Sequence, residues 1–133
     1  MVMAQRVLLV EDDPSLRRVI ELNLAASGYQ VDVAATGTAA LDLSERHPDL
    51  IVVDLGIPDM DGIDLITRLR ASLTTPILVA SARDARTAKV AALGAGADDY
   101  IAKPFGADQL MSRVRAILRR PEPPNGEPLR FSA

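Results

Sequence analysis

The sequence predicts an α/β protein: five strands paired in parallel, alternating with five helices that cover both faces of the sheet. Three observations predict it. The apolar pattern switches regularly along the chain between short continuous runs and helical periodicity. The runs VLLV, LIVV and ILVA are apolar at every position, as strands are when both faces are covered. These runs, and the shorter apolar stretch of DDYIA, each stop at polar residues: Glu11-Asp12 after VLLV, Asp54 after LIVV, Ser81 after PILVA and Lys103 after DDYIA. In an open parallel sheet those stops fall on one rim, where such sheets bind ligands.

The elements follow in order. Arg6–Val10 reads as a strand. Pro14–Ser27 reads as a helix, with Asp13 as N-cap, Pro14 at the first helical position and Gly28 beyond its end. Val31–Ala34 is a short strand. Thr36 or Gly37 opens a helix to about Arg46, closed by His47-Pro48. Leu50–Val53 is a strand, and Gly56–Gly62 a loop holding Pro58. A helix runs on to about Ser72. Pro76–Ala80 is the fourth strand, and Ala85–Leu93 a helix broken by Gly94 and Gly96. Asp99–Ala102 is the fifth strand and Gly106–Arg120 the last helix. Strand–helix alternation of this kind implies right-handed crossovers and a three-layer sandwich.

Bulk properties narrow the function. A chain of 133 residues suits one domain, and 48% hydrophobic residues suffice for a core. With no Trp and 3% aromatics, that core must be aliphatic. A net charge of −3 does not suggest a nucleic-acid surface on these residues. The absence of Cys excludes disulfide and thiolate chemistry. MVMAQR lacks the apolar region of a signal peptide, and no apolar run approaches a membrane span, so the expected compartment is the cytoplasm, with no membrane partner. Residues 1–120 form the expected domain. PEPPNGEP reads as an extended linker, and LRFSA as the start of a further domain, together residues 121–133.

The chemistry lies at the strand ends. Glu11-Asp12-Asp13 serves either as a helix N-cap cluster or as a cation site. Capping explains Asp13 well, but three adjacent acids repel, and a hard cation such as Mg²⁺ offsets that repulsion. Asp54 is either a cap or a reactive carboxylate able to form an acyl phosphate. No helix starts directly after it, so capping is a weak account. Lys103 is either a surface lysine before a turn or the cation that neutralises a phosphoryl group on this rim. Lys103-Pro104 is a candidate cis peptide. Ser81 is either bonded to backbone or a donor to a phosphoryl oxygen. Tyr100 reads as a half-buried strand residue. His47 reads as a surface cation at a helix end, and Arg113, Arg115, Arg119 and Arg120 as a solvated helix face.

VLLVEDD, LIVVDLGIPDMDG, PILVASA and GADDYIAKPF, in this order and spacing, resemble the receiver domain of two-component response regulators from about Arg6 to Arg120. The resemblance implies the flavodoxin-like (CheY-like) fold with strand order 2-1-3-4-5. It implies Asp54 as phosphoacceptor for a sensor histidine kinase and Lys103 as partner of the phosphoryl group. Mg²⁺ would be bound by Asp12, Asp54 and the Gly56 carbonyl directly, and by Glu11 through water. Ser81 and Tyr100 would form a switch pair. ADDYIAKPF and the arginine-bearing last helix look like the OmpR/PhoB transcription-factor subfamily, and DLGIPD with the SAR after strand four resembles the KdpE-type regulators.

That subfamily resemblance implies a phosphorylation-promoted homodimer through the fourth helix, fifth strand and fifth helix. Asp98 would pair with Arg115 and Asp99 with Arg113 across the two-fold axis, around an apolar patch of Val90, Leu93 and Met111. Lys89 would face Gln109, where the subfamily usually has Glu. DNA would be bound only by a winged-helix domain beyond this chain. Leu16, Val19 and Ile20 cannot all face inward at helical spacing, so an exposed one, beside Pro104-Phe105, is expected to help dock the kinase. A signalling receiver, not an enzyme, is the expected class. An aspartyl-phosphate phosphohydrolase would need an acid two residues after Asp54, where Gly56 stands. A nucleotide or flavin module would need a glycine-rich cradle where the acids stand. A stand-alone receiver is a further alternative.

Overall fold

The computed structural model describes residues 4–82 and 85–119. The expected linker, the LRFSA segment, Arg83 and Arg120 lie outside them. The elements are β1 (Arg6–Val10), α1 (Pro14–Ala26), β2 (Gln30–Ala34), α2 (Gly37–Leu43), a 3-10 turn (Ser44–Arg46), β3 (Leu50–Val53), α3 (Gly62–Ser72), β4 (Ile77–Ser81), α4 (Ala85–Ala95), β5 (Asp99–Ala102) and α5 (Ala107–Leu118). The strands form one parallel sheet in the order β2-β1-β3-β4-β5, as the family resemblance implies.

Alternation along each strand divides the core into two layers. Leu8, Val10, Ile51, Val53, Ile77, Val79 and Tyr100 face α2, α3 and α4, where Ala40, Leu65, Ile66, Leu69, Ala88 and Ala92 meet them. Val7, Leu9, Leu50, Val52, Leu78, Ala80 and Ile101 face α1 and α5, where Ile20, Leu24, Leu110, Val114 and Leu118 close the other layer. Each large aliphatic side chain fully buried there contributes about 1.5–3 kcal/mol. Because β2 lies on one side of β1 and β3 on the other, the chain reverses direction across the sheet between β1 and β3. The loops after those two strands part at their carboxyl ends and leave a crevice.

Caps set the helix starts. The Asp13 carboxylate accepts from the Ser15 and Leu16 N–H groups at 2.9 and 3.3 Å, with Pro14 opening α1. Thr36 caps α2 through Ala39, and Asp61 caps α3 through Ile63. Several boundaries differ from expectation by one or two residues, and two differences have a visible cause. The α2 periodicity tightens into the 3-10 turn before His47, whose φ of 56° ends it. Gly94 does not break α4, which continues to Ala95; with no Cβ pressed against anything nearby, Gly94 weakens the helix only slightly. The true stop is Gly96, at φ +120°, where a side chain would collide with Arg70. Arg70 explains the tightness: its guanidinium donates to the carbonyls of Gly96, Leu73 and Thr75 and to Asp98.

Candidate functional site

Three site residues sit one position past their strands, yet their backbones are still held by the sheet. Glu11 N–H donates to Ala34 O at 2.9 Å, Asp54 N–H to Val10 O at 2.9 Å, and Lys103 N–H to Ser81 O at 2.8 Å. Their side chains therefore leave a rigid edge. Lys103-Pro104 is cis, as anticipated.

Carboxylate oxygens of Glu11, Asp12 and Asp54 lie within 4.8 Å of one another. Glu11 and Asp54 are buried (2% and 8% exposed), while Asp12 faces solvent. The Lys103 ammonium donates to Glu11 Oε1 at 2.9 Å and to Asp54 Oδ2 at 3.1 Å. The second oxygens are also used: Glu11 Oε2 accepts from Asp13 N–H at 3.1 Å, and Asp54 Oδ1 from Gly56 N–H at 3.1 Å. Burial pushes the Glu11 carboxyl above its ordinary value; Lys103 and the Asp13 N–H oppose this, and the Asp54 charge adds to it. Burial alone would lower the Lys103 ammonium, but its bonds to Glu11 and Asp54 outweigh that and hold it above the usual lysine value. A half-buried cation is thus shared between two buried carboxylates, with a third at the mouth. The donors are all hard oxygens, which suits Mg²⁺, an ion that takes one or two carboxylates together with water and phosphate oxygens.

Ser81 and Tyr100 are both buried, Tyr100 more fully than expected. Val79 stands opposite Tyr100 in the β4–β5 register, so Ser81, two residues on from Val79, points to the same face of the sheet. His47 is exposed and precedes β3, away from the carboxyl ends of the strands. On α1, Val19 is 52% exposed and Ile20 buried, and an apolar cleft lined by Leu16, Ala82, Lys103, Pro104 and Phe105 adjoins the site.

The α4–β5–α5 face departs from expectation at one residue and carries two ion pairs within the chain. Met111 is only 5% exposed and packs inward with Leu110 and Val114, so of the expected apolar patch only Val90 and Leu93 reach the surface. Asp99 pairs with Arg113 inside the same chain, at 2.7 and 2.8 Å. Within the chain Asp98 pairs with Arg70 at 3.1 Å and accepts from Ile77 N–H at 2.8 Å. Lys89, Gln109 and Arg115 are exposed.

Sequence reasoning passed over two residues that hold the loops of this rim. Arg17 Nη1 donates to the Glu11 carbonyl at 2.9 Å and reaches the Asp12 carbonyl at 3.4 Å, fixing the acidic turn. Its neighbour Arg18 instead pairs with Glu21 on the surface. Nothing in the local sequence says which of the two arginines turns back. Asp59 accepts from Gly37 N–H, Thr38 N–H and the Thr38 hydroxyl, joining the loop after β3 to α2.

Comparison with known proteins decides the family. A model described as the response regulator receiver domain matches residues 7–115. The chain belongs to that family. This receiver domain is 50% identical over 115 residues to the transcriptional regulatory protein KdpE of Mycobacterium tuberculosis, covering 86% of this chain and 51% of the relative. It is 47% identical over 115 residues to the KDP operon transcriptional regulatory protein KdpE of Escherichia coli, with the same coverage. It is 43% identical over 126 residues to the response regulator MprA of Mycobacterium sp. strain KMS, covering 93% and 55%. The chain thus spans about half the length of these curated relatives. Among solved structures, the BeF3-activated N-terminal receiver domain of Klebsiella pneumoniae RstA matches with a TM-score of 0.82 at 32% identity, over 87% of this chain and all of that one. A putative response regulator from Chloroflexus aurantiacus matches with a TM-score of 0.82 at 38% identity, over 89% and 100%. The KdpE resemblance read from DLGIPD is borne out by these identities. Among the described residues, no helix is long and apolar enough to cross a membrane.

Proposed function

We propose that this receiver accepts a phosphoryl group on Asp54 from a sensor histidine kinase and relays the event to transcription. The single observation that carries the reading is the Lys103 ammonium held between Asp54 and Glu11, with three carboxylates gathered at one rim. Glu11, Asp12, Asp54 and the Gly56 carbonyl would hold Mg²⁺, which when bound supplies positive charge to phosphoryl oxygens. An Asp54 oxygen forms the new bond to phosphorus while the bond to the kinase imidazole breaks, leaving a mixed anhydride on Asp54. Lys103 is already in place and offsets charge on the incoming oxygens. Ser81 then donates to one of them, and Tyr100 repacks with it as a switch pair. The domain promotes its own labelling and acts as a signal carrier, not an enzyme with turnover on an outside substrate.

The output in this proposal is a shift between two packings that favours a homodimer through α4, β5 and α5. DNA is bound by a C-terminal winged-helix domain, with residues 121–133 its linker and its first residues. The names of the KdpE relatives and their doubled length support it. The expected location is cytoplasmic. Intact-mass analysis after incubation with acetyl phosphate and Mg²⁺ tests the assignment. Wild type gains one phosphoryl group and Asp54→Asn gains none. Equal labelling of both proteins refutes it.

A further inference from the structure

The loop between β3 and α3 carries Gly56, whose N–H meets Asp54 Oδ1 at 3.1 Å. Two features hold the loop's own shape. Gly62 N–H donates back to the Leu55 carbonyl at 3.2 Å, and a Cβ at Gly62 would overlap the Leu55 backbone. Leu55 and Ile57 are buried in the core. A third feature joins the loop to another element. Asp59 Oδ1 accepts from Gly37 N–H at 2.7 Å, and Oδ2 from Thr38 N–H at 3.0 Å and the Thr38 hydroxyl at 2.8 Å. Met60 lies directly against Gly37, where any larger side chain would push it away.

Capping alone does not account for Asp59. Thr36 already occupies the cap position of α2 and takes the Ala39 N–H. Asp59 reaches the same turn from 22 residues away and satisfies the two N–H groups that Thr36 leaves. What it adds is a mechanical link from α2 to the loop that aims Gly56. Asp54 has its Oδ2 fixed by Lys103 and its Oδ1 fixed only by Gly56 among the bonds described. The orientation of the carboxylate therefore depends on where the loop backbone sits.

We propose that Asp59 is a positioning residue for Asp54: by fastening the 55–61 loop onto the first turn of α2, it sets the Gly56 N–H and so the Asp54 carboxylate. This rests on the reading of Asp54 as phosphoacceptor. Removing a direct hydrogen-bond partner of a metal-binding side chain typically weakens its function about 10–100-fold, and Asp59, one contact further out, acts at or below the lower end of that range.

The test uses Asp59→Ala, Asp59→Asn and Thr38→Val in this chain. Two quantities are read for each: the Gly56 amide resonance by NMR in metal-free protein, and the rate of labelling by acetyl phosphate with Mg²⁺, well below the melting temperature. In Asp59→Ala the Gly56 amide moves and labelling slows by up to about 10-fold. Asp59→Asn keeps one carbonyl acceptor and recovers part of both. Thr38→Val loses only the hydroxyl bond and changes least. A merely structural residue would lower the melting temperature and leave the Gly56 amide and the labelling rate alone; that result overturns the proposal. Should Asp59→Ala fail to fold, a wild-type amide and rate in both other variants overturns it equally. If wild type takes no phosphoryl group, the acceptor reading falls instead, and the Gly56 amide alone decides the Asp59 link.

Discussion

The Lys103 ammonium lies 3.1 Å from Asp54 Oδ2 and 2.9 Å from Glu11 Oε1, so one cation balances two buried carboxylates brought together from three strand ends. Lys103→Met removes that cation and leaves the acids facing each other. It should destabilise the fold by about 1–3 kcal/mol at neutral pH, since buried charged groups lose their partner. Urea denaturation of the two proteins measures this. An unchanged midpoint would mean that the acids are satisfied by water without Lys103. Labelling from acetyl phosphate should fall in the same variant.

The two acids with displaced values respond to pH in opposite senses. Glu11 binds its proton more readily folded than unfolded, because of burial. Its ionisation therefore costs stability, and that cost appears as pH rises from the unfolded value of 4.5 through the higher folded one. Asp59 is held below its ordinary 3.8 by the Gly37 and Thr38 bonds. Its contribution is present above 3.8 and is lost as pH falls through its folded value. Asp59→Asn should flatten the acid limb of the stability profile below pH 4. Glu11→Gln should change stability relative to wild type more at pH 7 than at pH 4. Parallel profiles for all three proteins would contradict both assignments.

Ser81 and Tyr100 face the same side of the sheet on neighbouring strands. Ser81→Ala should leave Mg²⁺ affinity nearly unchanged while blunting the response of the Tyr100 ring to beryllofluoride. Side-chain NMR of Tyr100 reports it. An identical response in wild type and variant would separate the two residues.

Val19 stands out of α1 at 52% exposure beside the apolar cleft at Phe105. Val19→Asp should cost little stability, because the side chain is already in water. It should slow phosphoryl transfer from the kinase several-fold and leave labelling by acetyl phosphate untouched. Equal slowing with both donors would place the effect at Asp54, not at docking.

The α4–β5–α5 face presents Val90 at 70% exposure, Leu93 at 39%, Lys89, Gln109 and Arg115. Its Asp99–Arg113 pair is already formed within the chain. Dimerisation through this face must therefore exchange or share that pair, and each exposed ion pair is worth only ~0–1 kcal/mol. Gln109→Glu, which gives Lys89 a charged partner, should tighten a beryllofluoride-activated dimer in analytical ultracentrifugation. Asp99→Ala should loosen it. If neither moves the association constant, the dimer uses another face or does not form.

The sequence by itself determined the strands and what stands at their ends. Arg6–Val10 and Leu50–Val53 fall where they were read, because a strand buried on both faces leaves a continuous apolar run; the edge strand Asp99–Ala102 also falls where it was read, from the apolar core of DYIA between turn residues. Parallel pairing then carries Glu11, Asp12, Asp54, Ser81 and Lys103 to one rim, so the site's membership was legible from strand ends alone. Only the tertiary structure decided which polar groups meet. It sends Arg17 to the acidic turn and Arg18 to solvent, gives Asp98 to Arg70, turns Met111 inward, and fastens Asp59 to α2. It also ends α4 at Gly96 and not at Gly94, because only Gly96 takes a positive φ that leaves the helix, and Arg70 packs where a side chain there would stand. Strand and helix signals are local, carried by neighbours in the chain. These hydrogen bonds and close approaches join residues up to 28 positions apart, and depend on how the layers pack.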